Sequence, residues 1–351
     1  MSRRSLAIVI AVPLMVALWI AAALLPVPYV TYHPGVTVDV LSEAQGAERI
    51  QIDGHKAYYD DGELRMTTVS VTRAEDHVSL FEVLGSWLSD EEAVQPYSAV
   101  YEENETDAEN QQESAVEMVS SQDAAIAVAL RALDIKVTPV VEIFSVTPGT
   151  PSEGKLQVRD RLLSIDGTKI DTPQQVVEAV DGAKVGEPLE FVVRRAGKQK
   201  TVEVAPARID GRKMIGIWPG PGFAFPFRVD INIDPRIGGP SAGLMFSLAI
   251  YDTLTPGSLT GGKRIAGTGT INSDGQVGPI GGIQQKIVGA RNAGAQLFLV
   301  PGPADSGNCE EAAGAPNEDT RLVPVSTFDE ALQAIETWVD DPDADLPTCQ
   351  D

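Results

Sequence analysis

The sequence predicts an α+β protein in which an N-terminal membrane helix precedes two or three folded units. Three observations support this class: a long uncharged stretch near the N-terminus, short apolar strands separated by turn residues, and glycine-bounded helices in the last third. The length of 351 residues suits two or three domains. The formal net charge of −23 argues against a nucleic-acid partner, because phosphates require a basic surface.

The first element is an apolar segment at residues 5–26, which follows a short tail at 1–4. About 20 such residues suffice to cross a bilayer as a helix. Arg3 and Arg4 precede the segment, so the tail is expected in the cytoplasm and the C-terminal body outside it. A cleaved signal peptide is the alternative, although Leu25-Pro26 is a poor cleavage end. We therefore expect a single-pass anchor in the cell membrane.

Residues 33–118 are predicted to form a β-rich region with an acidic loop. Turn signals at Asp53-Gly54 and Asp61-Gly62 separate three strands, which are expected at 36–41, 50–52 and 64–71. The acidic, polar stretch at 102–117 indicates a solvated loop or linker. A helix is expected to start after it, capped by Ser120 or Ser121.

Residues 119–205 are predicted to form a compact unit that begins with this helix. A strand at 140–146, a strand that ends at Asp166-Gly167, a helix at 172–180 and a hairpin across Ala196-Gly197 follow in order. With the phrases VTPGTPSEGKLQVRDRLLSIDG and GEPLEFVVRRAGK, this order resembles a bacterial PDZ domain.

The PDZ resemblance implies a groove that binds an extended peptide as an added strand. The groove is expected between the strand at 141–146 and the helix at 172–180, lined by Val141, Ile143, Ser145 and Val176. The family's Gly-Φ-Gly-Φ loop should lie just before Val140, where this chain has Lys136-Val-Thr-Pro139. Binding of a free C-terminal carboxylate is therefore left open, and a PDZ unit that only packs against its neighbour is the alternative.

Ser241 lies in the last unit, at residues 206–340, between Gly238-Gly239-Pro240 and an apolar helical run. A serine at this position is commonly a helix N-cap. It also suits a nucleophile, because nearby backbone N–H groups at a helix start can stabilise an oxyanion. The three histidines end at His77, so a histidine triad is not expected and a lysine is left as the base.

Lys286 lies on the apolar stripe of a helix that Gly281-Gly282 introduces, together with Ile283, Ile287 and Ala290. Loss of solvation disfavours a charged amine, so its pKa falls and the lysine can act as a general base near neutral pH. A lysine whose stem reaches the surface is the alternative. The polar side of this helix is predicted to carry Gln284, Gln285 and Arg291.

The phrases GGPSAG at 238–243, GTGTINSDGQVGPIGGIQQK at 267–286 and GAQLFLVP at 294–301 resemble the proteolytic domain of Lon-type Ser–Lys proteases. The resemblance implies a fold like domain 2 of ribosomal protein S5. It also implies Ser241 as the nucleophile, Lys286 as the base and Thr268 as a hydrogen-bond partner of the lysine. The residues that would support the serine are Gly239, Pro240 and Ala242.

Two positions depart from the Lon pattern. Many members have an acidic residue at the position of Gly238, so the orientation of the serine or the substrate is expected to differ. A second lysine is frequent at the position of Gln284, which leaves Lys286 as the one candidate base.

The layout of anchor, PDZ unit and Lon-like unit resembles the membrane-anchored PDZ–Lon proteins of the YlbL type. Cytoplasmic Lon enzymes are driven by ATP, but the glycine-rich stretch at 257–264 has Arg264 where a P-loop needs Ser or Thr. We therefore expect an endopeptidase that acts without ATP, cofactor or metal on unfolded or extended protein substrates. The alternative is an inactive scaffold that binds protein partners.

Three further features close the chain. Residues 341–351 are predicted to form an acidic tail, and a homo-oligomer is compatible with the Lon resemblance. Cys309 and Cys349 lack the spacing of zinc ligands. A disulfide between them is permitted outside the cytoplasm, and its formation is left open.

Overall fold

The computed structural model describes residues 3–44, 46–102, 105–209, 211–303 and 306–349. It is a mixed α and β fold, as predicted. The N-terminal part contains α1 (Arg3–Leu24), β1 (Pro26–Val27), β2 (Tyr29–Asp39), β3 (Glu43–Ala44), β4 (Ala47–Glu48), β5 (Ile50–Asp53), β6 (Glu63–Val71), β7 (Val78–Ser79), α2 (Leu80–Trp87) and β8 (Ala93–Pro96). The middle part contains α3 (Asp107–Ala132), β9 (Thr138–Val146), β10 (Arg161–Ile165), β11 (Thr168–Lys169), α4 (Pro173–Gly182), β12 (Leu189–Arg195), β13 (Lys198–Val204), β14 (Ala207–Ile209), β15 (Arg212–Met214) and β16 (Ile217–Ala224). The C-terminal part contains β17 (Arg228–Ile231), α5 (Gly243–Leu254), β18 (Arg264–Gly267), β19 (Thr270–Ile271), β20 (Val277–Gly278), α6 (Ile283–Asn292), β21 (Leu297–Pro301), α7 (Gly307–Ala313), β22 (Arg321–Val325) and α8 (Phe328–Asp340).

A six-stranded sheet joins the two ends of the chain in the order β22-β21-β18-β6-β2-β8. β6 runs parallel to β18, so that Leu64 pairs with Ile265. The β-rich region predicted at 33–118 therefore does not stand apart, because its strands β2, β6 and β8 complete the sheet of the last unit. The three predicted strands lie within or overlap β2, β5 and β6.

α5 is apolar on all sides because it lies inside this unit. It packs against the sheet strand β6 and against α3 and α8. Leu244, Met245, Phe246 and Leu248 are fully buried. A helix that is apolar all round is typical of such a central position.

α3 corrects the prediction of an acidic loop. The helix begins at Asp107, well before Ser120 and Ser121, and residues 103–104 lie outside the described residues. Thr106 caps it: its hydroxyl accepts from the Glu109 N–H, and the Glu109 carboxylate accepts from the Thr106 N–H. This capping box satisfies two terminal donors. Burial of the second half of α3 then stabilises the acidic first turns as a continuation of the same helix.

The middle unit contains a second sheet in the order β13-β12-β10-β9-β16, with β11 paired to β10. β9, β10, β12, β13 and α4 occur where the sequence predicts them, whereas β11 and β16 were not predicted. Thr172 and Gln175 form a capping box at the start of α4, and Pro173 occupies its first turn. The core of this unit includes Phe191 and Val193, which are fully buried.

The predicted peptide groove is wrong in position, because β16 lies between β9 and α4. β16 pairs antiparallel with the whole of β9, and α4 packs beside β16. Val141, Ile143 and Val176 are at most 1% exposed and belong to the core, while Ser145 pairs with Trp218 of β16. The last strand of this sheet, in the described part of the chain, is therefore β16 and not β9.

α1 is an apolar helix of 22 residues whose side chains from Ala7 onward are almost all exposed. Its segment Ala7–Leu24 has a mean hydropathy of 2.7. Within the described residues this is the one helix long and apolar enough to cross a membrane, and an N-terminal signal sequence has the same character.

Candidate active site

Ser241 lies in the turn that leads into α5. The N-cap position of α5 is occupied by Ala242, without a side-chain cap, so the N-cap explanation for Ser241 is wrong. The Ser241 hydroxyl instead faces Lys286. Its own carbonyl accepts hydrogen bonds from the Gly269 N–H at 2.8 Å and from the Thr268 hydroxyl at 2.9 Å. These two contacts hold the serine backbone against the segment after β18.

Lys286 lies on the first turns of α6 and is 2% exposed. Its Nζ is 2.7 Å from the Ser241 Oγ and 3.0 Å from the Thr268 Oγ1. Burial lowers the pKa of Lys286 to about 7. The alternative in which the lysine reaches the surface is therefore wrong, because the amine contacts the hydroxyl groups of Ser241 and Thr268 inside the protein.

The three polar atoms form a directed chain. The Thr268 hydroxyl donates its proton to the Ser241 carbonyl, so its oxygen remains an acceptor for an N–H of Lys286. A neutral amine held in this way directs its lone pair at the Ser241 hydroxyl. The arrangement can remove a proton from the serine when the lysine is uncharged.

A cleft of about 340 Å³ opens at the serine and the lysine. Its walls come from β6, from Gly35 and Val36 of β2, from Met118 of α3 and from the loop before Ser241. The lining includes apolar residues of β6, such as Met66 and Val69, and polar ones, such as Thr67 and Ser70.

The residues predicted to support the serine have distinct contacts. Gly239 has a φ of +84°, and its N–H donates to the Ser114 carbonyl at 3.0 Å. The Pro240 carbonyl accepts from the Ser121 hydroxyl at 2.9 Å and from the Gly243 N–H at 3.3 Å. Ala242 is buried in the core below the site.

α3 is the part of the site that the sequence analysis missed. Ser114 and Ser121 bind the loop before Ser241, and a Cβ on Gly238 would lie 2.6 Å from the Ser114 Cβ. Gly238 thus stands where α3 leaves no room for a side chain. The sequence signal that could have located α3 is the Thr106–Glu109 capping box.

The polar side of α6 differs in part from the prediction. Gln284 donates to the Glu311 carbonyl from a position near the surface. Gln285 is 2% exposed, because the segment after α2 covers it and the Glu91 carbonyl accepts from its amide at 3.4 Å. Arg291 pairs with the Glu91 carboxylate at 2.7 Å.

The glycine-rich stretch at 257–264 lies in the loop before β18 and at the start of that strand. Lys263 donates to the carbonyls of Trp338 and Val339 at the end of α8, at 3.3 and 2.9 Å. Its amine is thus used to hold α8 in place.

Comparisons with known proteins match two separate segments. A model of the PDZ domain matches residues 108–205, and a model of the Lon protease (S16) C-terminal proteolytic domain matches residues 234–337. The Lon protease of Trichlorobacter lovleyi is 35% identical over 95 residues, which are 27% of this chain and 11% of that protein. Lon protease 2 of Herpetosiphon aurantiacus is 34% identical over 113 residues, 30% of this chain and 13% of that protein. The chain thus spans a small part of the length of these relatives.

Among solved structures, the PDZ domain of the SdrC-like protein from Listeria innocua is similar. It has 26% identity, covers 23% of this chain and 92% of that one, and has a TM-score of 0.22.

Proposed function

We propose that this chain, which carries a PDZ domain and a Lon-type C-terminal proteolytic domain, is a membrane-anchored serine endopeptidase with a Ser–Lys dyad. The observation that carries the proposal is the contact of 2.7 Å between the buried Lys286 amine and the Ser241 hydroxyl. Neutral Lys286 takes the serine proton as Oγ attacks the scissile carbonyl carbon. The lysine then returns that proton to the leaving amine, and a water molecule later hydrolyses the acyl-enzyme.

The oxyanion of the tetrahedral intermediate is assigned to the start of α5. The N–H groups of Gly239 and Gly243 already donate to carbonyls. We therefore assign stabilisation of the oxyanion to the N–H groups of Ser241 and Ala242, which lie close to the positive end of the helix dipole.

Substrate selection is assigned to the edge strand β16 beside α4. A peptide can add to such an edge through main-chain hydrogen bonds. The PDZ family's Gly-Φ-Gly-Φ loop, which is expected just before Val140, has a partial counterpart here. The stretch Ile215-Gly216-Ile217, which leads into β16, has the same alternation of apolar residues and glycine. Pro219 and Pro221 lack N–H donors, which restricts pairing to the beginning of the strand.

The site is proposed to work outside the cytoplasm and without ATP. Arg3 and Arg4, the first two residues of α1, favour a cytoplasmic N-terminus, which places the body on the other side of the membrane. The Cys309–Cys349 disulfide suits an oxidising compartment. Lys263, the one P-loop-like lysine, is engaged with α8.

The test is cleavage of an unstructured protein by the purified full chain in lipid nanodiscs, without added nucleotide. Ser241→Ala and Lys286→Met are each expected to lose at least about 10²–10⁴-fold in rate. Lys200→Met, which changes an exposed lysine of β13, is the matched control and is expected to retain full activity. Equal cleavage by all variants would contradict the proposal. Intact partner binding with no hydrolysis by the wild type would favour the scaffold alternative.

A further inference from the structure

α2 carries a continuous apolar surface that the protein body does not cover. Trp87 at the end of the helix and Leu88 at its C-cap are 72% and 77% exposed. At about 100° per residue, the exposed apolar residues fall within an arc of about 120°. They are Leu80, Phe81, Leu84, Trp87 and Leu88. Ser86, opposite this arc, and Val83, at its edge, are buried, and α2 packs on β2 and β8. Such a cluster on a small helix marks an interaction surface.

The position of α2 relative to α1 is set by two contacts. Residues Pro26–Val27, just after α1, pair with Val78–Ser79, just before α2. The Phe81 ring lies against the Trp19 ring, with centroids 5.2 Å apart. The surface of α2 is thus continuous with the apolar helix.

If α1 spans the bilayer, the contact between the Trp19 and Phe81 rings sets the depth of α2 in the membrane. Trp19 lies five residues before Leu24, which is about 7.5 Å below the end of α1. Helices that lie in the plane of a membrane bury their apolar face about 5–10 Å into the headgroup and acyl boundary. Phe81 therefore reaches the level at which such helices lie.

The space between the two helices is also apolar. Its lining consists of Ala11, Leu14, Met15, Leu18, Trp19, Ala22 and Phe81. Water in this cleft would find few hydrogen-bonding partners, whereas a lipid acyl chain suits it. Glu82, the acidic residue of α2, lies outside the apolar arc.

We propose that α2 lies in the outer interface of the membrane that α1 crosses, with Leu84, Trp87 and Leu88 in lipid. This inference rests on the proposed function for the orientation of α1. The body would then be held on the membrane by two elements, and its tilt would be restricted. Glu91, which follows α2, contacts Arg291 and Gln285 of α6, so the helix of Lys286 is linked to the same attachment.

The test measures the depth of spin labels on the full chain in phosphatidylcholine nanodiscs. The two native cysteines are bridged to each other, so a nitroxide attaches to a single introduced cysteine. Leu84→Cys and Trp87→Cys probe α2. Leu18→Cys on α1 is the lipid reference, and Val185→Cys in the exposed loop after α4 is the water reference. Collision rates with oxygen and with a water-soluble nickel chelate are compared.

The expected result is a severalfold higher ratio of oxygen to nickel collisions at residues 84 and 87 than at residue 185. A lipid-like signal at residue 18 with water-like signals at 84 and 87 overturns the inference and leaves the anchor intact. A water-like signal at residue 18 overturns both. Protection at 84 from both reagents, with broadening between two labelled copies, shows that a second copy covers α2 and also overturns the inference.

Discussion

The residue-scale chemistry depends on the solvation of Lys286. The side chain is 2% exposed, and its burial lowers its pKa to about 7. The cost of this burial is offset in part by the contacts with Ser241 and Thr268. A lysine of this kind can exchange protons near neutral pH, which an exposed lysine with a pKa near 10.4 cannot do.

The first prediction concerns the pH dependence of cleavage. The active form has a neutral Lys286, so kcat/KM should rise with pH and level off above an apparent pKa near 7. The rate of hydrolysis of a short peptide between pH 5.5 and 9 measures this. A rate that is flat or falls with pH over this range would show that the lysine is not the base.

The second prediction concerns the effect of the buried Lys286 on the free energy of unfolding. Between pH 7 and 10.5 the unfolded chain binds a proton at Lys286 that the folded chain lacks, so wild-type stability rises with pH. Lys286→Met should abolish activity and raise the free energy of unfolding by about 2–4 kcal/mol at pH 7. Urea unfolding at pH 7 and 9.5 measures the gain, which should be smaller at pH 9.5. An equal gain in the free energy of unfolding at both pH values would contradict the lowered pKa of Lys286.

At the scale of elements, α3 extends from the Thr106–Glu109 capping box to the loop before Ser241. It begins at Asp107, contacts the loop before Ser241 through Ser121 and packs against α5. The loop therefore takes its shape from a helix more than 100 residues earlier in the chain. Small changes on α3 should act on the position of the serine without any contact with substrate.

The third prediction is the effect of removing one α3 hydroxyl. Ser121→Ala deletes the hydrogen bond to the Pro240 carbonyl and should cost about 1 kcal/mol of stability. Because the adjacent serine shifts, kcat should fall by about tenfold with little change in KM. The control is Ser120→Ala, one residue earlier and less buried, with wild-type kcat. Equal kcat in both variants would show that α3 does not position Ser241.

At the scale of the whole molecule, buried carboxyl groups lie where the PDZ unit meets α3. Asp123 of α3 and Glu142 of β9 are 0% and 3% exposed, and Arg159 pairs with Asp123 and lies 4.0 Å from Glu142. Burial, followed by repulsion from Asp123, raises the pKa of Glu142 to about 7, while Arg159 and Arg161 oppose the shift. Glu142 thus keeps its proton up to near neutral pH at this junction.

The fourth prediction follows from the direction of this shift. The folded state holds a proton on Glu142 that the unfolded state releases above pH 4.5, so this contribution is lost as pH rises through 7. Glu142→Gln imitates the protonated form. It should raise the free energy of unfolding by about 2 kcal/mol at pH 8 and leave it almost unchanged at pH 4.5. Thermal unfolding at both pH values measures this, and stabilisation confined to pH 4.5 would reverse the assignment.

The Cys309–Cys349 disulfide, left open by the sequence, is formed and fastens the C-terminal tail to α7. Cys309 is fully buried in a cluster with Ile283 and Ile287 of α6.

The fifth prediction is that this bridge contributes to stability. Its 40-residue separation corresponds to about 4 kcal/mol of stabilisation in the loop-entropy estimate. Reduction of the wild type and the double change Cys309→Ser with Cys349→Ser should each lower the unfolding midpoint in urea. Unchanged midpoints after full reduction would show that the tail is dispensable.

Local patterns in the sequence determined several features of this protein. The uncharged segment before Pro26 predicts α1, and the spacing of Ile283, Ile287 and Ala290 places Lys286 on a buried face. Turn residues and alternation locate the strands of the PDZ domain, which a family model matches. These features depend on neighbouring residues, whose periodicity is visible without knowledge of the rest of the chain.

Only the tertiary structure decided which distant segments meet. Glu63 and Arg264 lie on paired strands although 201 residues separate them, and β16 enters the place that the sequence assigned to a peptide. Strand pairing and the hydrogen bonds from α3 to the loop before Ser241 join residues that are far apart in the sequence. They depend on which backbone N–H and C=O groups become partners when the chain folds. The apolar stripe of α6 therefore indicated that Lys286 could be buried, whereas its contact with Ser241 depends on the packing of the whole domain.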